Sequence, residues 1–418
     1  MAKRSLDSAP SADGESRLHV VWTALGVMLF LLFAFVVLRS VLGAGDFPLD
    51  FVVFHGAGTL FAQGDSATAY DFEAFQAFLS QTYGGPPSDG PSLAHFLNPP
   101  PFGWFAQILS LLPLGPSFIA WGAAGVVASV ASYRWLGLPI KALPLLIISP
   151  MMVFNLSIGQ TGAAVLLITV AVHHLLIRDQ RVLAGAVAGL FLLKPPLALG
   201  LGLLWLVKAR KFGVAIAVSL LTGLVISLPT LVNGLDPWRD FLATSAERTE
   251  LDNAISAKSS FSLAEFVKPV VDATVLVWIV GILLGLLFLT AVDRRHDGDI
   301  ELLSGAAALV TVLFSPHILI YDSLILLIPV AVAYRRGALD ATRVGMLIAI
   351  VGVGATTRLL IGGPSLEFPA ALLAAAILAV WVDQSVRGSS SDEGELVVPV
   401  GADAAAVDGE REDLVVGE

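Results

Sequence analysis

The stretch LHVVWTALGVMLFLLFAFVVL, Leu18 to Leu38, decides the fold class. It carries no Asp, Glu, Lys or Arg and has about the 20 residues a helix needs to cross the hydrocarbon core of a bilayer. It is too long for the apolar region of a signal peptide, and no small-residue cleavage site follows it cleanly. The reading is therefore an anchored first span. The segment 1–17 before it is polar and holds Lys3, Arg4 and Arg17, which places the N-terminus on the cytoplasmic side.

Composition extends this reading to the whole chain. Hydrophobic residues make up 56% of the sequence and charged residues 14%, with a mean hydropathy of +0.82. A soluble domain carries roughly 25% charged residues. An all-α, polytopic membrane protein is expected. Cysteine is absent, which excludes disulfides, thiolate catalysis and Cys-ligated metal. Much of the net charge of -10 comes from the acidic stretch 388–418, which has no aromatic residue and reads as a disordered, solvated cytoplasmic tail.

Between Leu18 and residue 387, further apolar runs predict spans near 117–136, 141–156, 160–177, 182–194, 196–208, 211–232, 273–291, 301–314, 318–334, 342–361 and 366–386. With the first, these make about twelve transmembrane helices. Several are short. Short spans are tolerated at depth where their ends face protein or water, so they point to a water-filled cavity on one side. The basic residues orient the array. Arg134, Lys141, Arg178, Arg181, Lys208, Arg210, Lys211, Arg294, Arg295, Arg335, Arg336 and Arg343 all fall inside in one topology, with both termini cytoplasmic. A competing register takes 100–113 as a span and merges 182–208. It ranks second because it puts Arg134, Lys141, Arg178 and Arg181 outside.

In the preferred topology, two large loops, 45–116 and 233–268, face outward. So do the turn SPMMVFNLSIGQ, the Lys194-Pro195-Pro196 break and Ser315-Pro316-His317. The outer elements hold Asp50, His55, Asn155, Gln160, Lys194, Arg248, Lys258 and His317, whereas the inner turns hold little except positive charge. Chemistry is expected outside. Within the first loop, 71–83 can form a helix with Phe72, Phe75, Phe78 and Leu79 on one face, and 100–112 can form another; both suit the membrane interface. Asp50, in GAGDFPLDFVVFHGAG, stands just past the outer end of the first span. A carboxylate costs free energy to desolvate there, so a functional role competes evenly with a solvated loop acid or helix cap.

Several classes are excluded. The chain has no phosphate-binding G-x-x-x-x-G-K-[ST] loop, no dinucleotide fingerprint in a βαβ context and no histidine pattern typical of a metal site. Nothing suggests nucleic-acid binding.

DFVVFHGAGTLFAQGDSATAY resembles the first external loop of the GT-C membrane glycosyltransferases, in particular glycosyltransferase family 87, through Asp50-Phe51, Gly64 and Tyr70-Asp71. NPPPFGWFAQILSLLPLG is similar to their Pro-rich piece, SPMMVFNLSIGQTGA to their Ser-Pro and Gly-Gln turn, AGAVAGLFLLKPPLALG to their Lys-Pro break, and SPHILIYDSLIL to a late Ser-Pro turn with a nearby His. The resemblance spans roughly Asp46 to Leu327. It departs from the family where the late turn lacks the Trp found in many relatives, and the last spans carry no recognised motif.

The resemblance implies a GT-C-like domain over 18–387. It also implies inverting transfer of a hexose, mannose-like in an α-mannosyltransferase manner, from a polyprenyl-phosphate-linked donor to an envelope glycan or glycolipid acceptor. A lipid-linked donor suits an outward-facing site, because it arrives within the bilayer. Asp50 is then the general base. Lys194 and His317, with Arg248 and Lys258 behind them, are candidates to stabilise the leaving phosphate, and Gln160 and Asn155 to bind sugar hydroxyls or satisfy backbone at a short helix end. No cofactor is implied. A divalent metal is compatible with the wider superfamily, whose members differ, but no ligand cluster indicates one. The expected location is the bacterial inner (plasma) membrane, with the site facing the periplasm. The rival class is a secondary transporter, suited by broken helices and twelve spans but not by the large first loop or the lack of matching halves. A structural partner in envelope synthesis is the third.

Overall fold

The computed structural model describes residues 49–84, 95–245, 274–315, 318–361 and 369–378, together with Leu263 and Val267. The expected first span, Asp46, Arg248, Lys258, His317 and the acidic tail lie outside the described residues. Among those described, the regular structure is helical. In chain order the helices are α1 Leu49–Gln63, α2 Ser66–Tyr70, α3 Phe72–Tyr83, α4 Pro100–Ser110 and α5 Leu114–Trp135. Next come α6 Leu143–Ile147, α7 Pro150–Ser157, α8 Gly162–Ile177, α9 Arg181–Ala188 and α10 Leu199–Val207. The last are α11 Ala209–Asn233, α12 Thr274–Arg295, α13 Ile300–Phe314, α14 Leu327–Arg335 and α15 Ala341–Ile361, with a further helix at Pro369–Leu378.

Three described helices, Leu114–Trp135, Ala209–Asn233 and Val275–Arg295, are long and apolar enough to cross a membrane unaided. The chain is thus a membrane protein of all-α build. Their outer faces remain apolar and open: Leu220 is 71% exposed and Leu287 66%. Such surface is unfavourable in water and suits lipid. The other expected spans are shorter or broken. Ile140–Ile147 and Pro150–Ile158 pass as a pair but bend by 49° between them. The bend has a local cause: the Ser149 hydroxyl accepts from the Met152 N–H and Pro150 opens α7, a cap and a helix start inside the run. At Lys194 the following Pro195 and Pro196 remove two backbone donors, and 3₁₀ turns at Gly189–Leu193 and Pro195–Ala198 flank the break.

These short pieces are sheltered by protein. Every residue of α13 from Leu302 to Leu313 is buried, as expected of a helix apolar on all sides. It packs against α10, α12 and α14 at the centre of the larger of two apolar cores. The smaller core, built from Phe51, Phe54, Phe61, Tyr70, Phe75, Phe96, Phe102 and their neighbours, belongs to α1 to α4 and the start of α5.

The two loop helices form as expected but use their apolar faces differently. Phe75 and Leu79 of α3 turn inward onto α1, where the Leu79 side chain fills the space beside Gly56. On α4 and just beyond it, Ile108, Leu111 and Leu112 are 60%, 78% and 48% exposed, the surface an interfacial helix presents. Periodicity locates an apolar face but does not say whether protein or lipid covers it.

The bundle has two chemically distinct ends. At one, Arg335 donates to the Glu301 carboxylate at 2.6 Å and to the Leu136 carbonyl at 2.8 Å, and meets the His173 Nε2 at 3.0 Å. Arg336 pairs with Asp299, and Lys208 with Asp293 at 2.5 Å. Many of the cations read as cytoplasmic therefore gather at one end. α8 and α13 run from that end to the other, where Thr161 and Ser315 lie; the Ser315 hydroxyl donates to the Pro196 carbonyl at 2.7 Å. Lys194 stands at this second end.

Candidate active site

A single backbone clasp builds the site. The first N–H groups of any helix lack intrahelical acceptors. Here the Phe51 N–H, in the first turn of α1, donates to the Ile158 carbonyl at 3.0 Å. Gly159 makes the approach feasible. Its φ of +73° is in the left-handed region, and a Cβ there would sit 2.5 Å from the Phe51 Cβ. Phe51, with no exposed surface, locks the clasp by packing on Phe118, ring centroids 5.3 Å apart.

The clasp brings Gln160 to Asp50. The Gln160 side-chain amide donates to the Asp50 carboxylate at 2.7 Å, while its carbonyl oxygen accepts from the Thr161 N–H at 3.2 Å. Gln160 itself is held at its backbone. Its N–H donates to the Asn155 carbonyl at 2.8 Å, and the Trp121 indole N–H is shared between the Gly159 carbonyl at 2.9 Å and the Gln160 carbonyl at 3.3 Å. The Asn155 side-chain oxygen accepts from the Ala163 N–H at 3.3 Å, so this buried amide satisfies the first turn of α8. Of the two readings of Asn155, the structure displays the backbone one.

Gly162 makes the next approach. A Cβ on it would meet the Tyr321 carbonyl oxygen at 2.4 Å. The turn Ile320–Leu326 thereby packs against α8 and delivers Tyr321 and Asp322 to the Lys194 break. The Lys194 ammonium donates to the Asp322 carboxylate at 2.6 Å and lies 4.7 Å from the centre of the Tyr321 ring. Asp322 is fully buried and Lys194 only 16% exposed. The other Asp322 oxygen accepts from the Leu319 N–H at 3.2 Å. A buried pair of this kind gains little net stability, but removing one partner strands the other charge.

Two of the sequence-predicted polar residues, Asp50 and Gln160, are thus in direct contact, and the charge of Lys194 reaches Asp50. Burial pushes the Asp50 carboxyl above its ordinary value; the Gln160 hydrogen bond and the Lys194 charge pull it partway back. The side chain nevertheless keeps some surface open. A half-buried carboxylate with a raised affinity for protons, within the field of a cation, is suited to accept a proton from a hydroxyl and to tolerate a nearby anion. His55, on the same helix, takes no part in this pairing. Its Nε2 is 2.9 Å from the Leu112 carbonyl, which can only accept, so the proton resides there and Nδ1 accepts from the Tyr83 hydroxyl at 2.7 Å. It pins α1 to the end of α3 and to Leu112.

Sequence reasoning missed Asp322, Tyr321 and Trp121. The available signal for Asp322 was a carboxylate within an apolar run. Arg248, Lys258 and His317 lie outside the described residues. Among those described, no group of three or more His, Asp or Glu side chains gathers as metal ligands would.

The family model for glycosyltransferase family 87 matches residues 96–316, just over half of the chain. Asn155, Gln160, Lys194, Arg248 and Lys258 fall within the match; Asp50, His317 and Asp322 fall outside it. No curated protein and no solved structure matches. The match decides between enzyme and transporter in favour of the enzyme: the chain belongs to glycosyltransferase family 87 and is a membrane glycosyltransferase.

Proposed function

We propose that the protein transfers a hexose, mannose-like, from a polyprenyl-phosphate donor to an envelope glycan or glycolipid acceptor, with inversion at the anomeric carbon. Asp50 is the general base. It takes the proton of the acceptor hydroxyl as that oxygen attacks the anomeric carbon. The bond from that carbon to the phosphate oxygen breaks, and its electron pair leaves with polyprenyl phosphate. Lys194, with His317, Arg248 and Lys258, stabilises the departing charge. Gln160 orients the base.

The observation that carries this reading is the hydrogen bond between Gln160 and Asp50, distant in sequence, within reach of the Lys194 charge at the end of the bundle away from the cation cluster. In a cell that end faces the periplasm and the cation cluster the cytoplasm, in an array of about twelve spans. The donor then reaches the site from within the bilayer, and no nucleotide is needed outside. The test is incubation of the purified protein with a panel of polyprenyl-phosphate sugars and an acceptor mixture, following release of polyprenyl phosphate. Release from one sugar class supports the reading; turnover only with nucleotide sugars refutes the donor assignment.

A further inference from the structure

The acid that sequence analysis passed over has a defined task. We propose that Asp322 is a positioning residue: it holds the Lys194 ammonium off Asp50, leaving the carboxylate free to act as a base and the ammonium aimed at an incoming anionic group. The inference rests on the reading of Asp50 and Lys194 as base and phosphate partner.

Three observations support it. First, Asp322 is fixed before any ligand arrives. It has no exposed side-chain surface, one oxygen bonds Lys194 at 2.6 Å, and the other accepts the Leu319 N–H at 3.2 Å. Second, Lys194 is restrained at both ends. Its N–H donates to the Phe191 carbonyl and its carbonyl accepts from the Leu197 N–H, while Tyr321 flanks the ammonium at 4.7 Å. Third, Asp50 lies within reach of the Lys194 charge yet takes its hydrogen bond from neutral Gln160.

Lys194 thus bonds one carboxylate, Asp322, and bears through space on a second, Asp50. Without Asp322, Lys194 loses its bonded carboxylate, and Asp50, which already feels its charge, becomes an alternative partner. A direct ion pair there would hold Asp50 ionised to lower pH and make it a weaker base, and would occupy the ammonium. The groups that bear on this titration are Lys194 from the break after α9, Asp322 from the turn after α13 and Gln160 from the turn before α8. His55 on α1 is engaged with Tyr83 and Leu112.

The test uses the full chain in lipid nanodiscs and needs no turnover. The infrared carboxyl band of protonated Asp50, identified by its loss in Asp50→Asn, is titrated in wild type, Asp322→Asn, Lys194→Met and Lys194→Met/Asp322→Leu. The midpoint is expected to fall in Asp322→Asn. The neutral double variant should show no such fall, because the lysine that would move is gone. Transfer is measured in parallel and should drop about 10-fold or more in Asp322→Asn, through kcat rather than KM, as for a mispositioned acid–base pair. Asp322→Glu keeps the charge but pushes the ammonium toward Asp50 by a methylene, so its midpoint also falls; it serves if Asp322→Asn does not accumulate. An Asp50 midpoint unchanged in both Asp322 variants overturns the proposal. The expected midpoint changes in a wild type that transfers from no polyprenyl-phosphate sugar support the charge arrangement and overturn the donor reading alone.

Discussion

Replacing Gln160 by Met tests how the site controls its base. The Gln160 amide donates to the Asp50 carboxylate at 2.7 Å. Methionine keeps the length of the side chain and removes the donor. A hydrogen bond to a charged group is worth about 1.5–3 kcal/mol. It favours the ionised carboxylate, so its loss raises the pH at which Asp50 takes up a proton, on top of the increase that burial already causes. The base works only when deprotonated. The acid limb of the rate profile should therefore move to higher pH, and on that limb the rate should fall roughly 10–100-fold, the same free energy expressed as a ratio. On the plateau above the limb the loss should be only a few-fold. The assay is kcat/KM for transfer across the pH range, with thermal unfolding to confirm that the fold persists. An acid limb that stays put, or moves to lower pH, would refute the claim that this hydrogen bond tunes Asp50.

Further outcomes follow from the same geometry. Gly159→Ala should cost about 1–3 kcal/mol in thermal stability and cut transfer, because the left-handed backbone and the 2.5 Å approach to Phe51 leave no room for a methyl group; stability and activity both near wild type would contradict the clasp. Lys194→Ala and His317→Ala should each lower turnover by on the order of 10²-fold at wild-type expression, and losses that merely track the amount of folded protein would instead mark both as structural. Single cysteines placed at Ser88, Ser245 and Ser390 of this cysteine-free chain should react with an impermeant thiol reagent in intact cells at the first two positions only; labelling at Ser390 without Ser88 would invert the orientation.

Much of the site was readable from residue types, and what was missed has physical reasons. The Lys-Pro-Pro break was visible because proline interrupts a helix wherever it falls. The grouping of Arg335, Arg336, Lys208 and their partners at one end followed from the sorting of cations in membrane proteins. Asp322 was overlooked because its value depends on a lysine far away in sequence, and only the close packing of Gly162 on Tyr321 brings the two together. Trp121 reads as one more apolar residue in a span until its indole N–H is seen holding the Gly159 and Gln160 carbonyls. Among the described helices three stand out as crossings by length and apolarity, because the others are shorter or broken and depend on protein neighbours, which hydropathy alone does not show.

The central claim is that Asp50 is the base, and Asp50→Asn tests it most directly. The substitution keeps the shape and an acceptor for Gln160 but cannot take the proton. Because burial disfavours the charged carboxylate, the variant should be at least as resistant to heat as wild type at neutral pH, where Asp50 must otherwise be ionised in protein surroundings. Donor binding should persist, while transfer from the polyprenyl-phosphate sugar falls about 10²–10⁴-fold. Asp46→Asn, an acid four residues earlier, should be mild. Asp50→Asn that folds, binds donor and transfers at close to the wild-type rate would contradict the account, and loss of activity in Asp46→Asn alone would move the base to that residue.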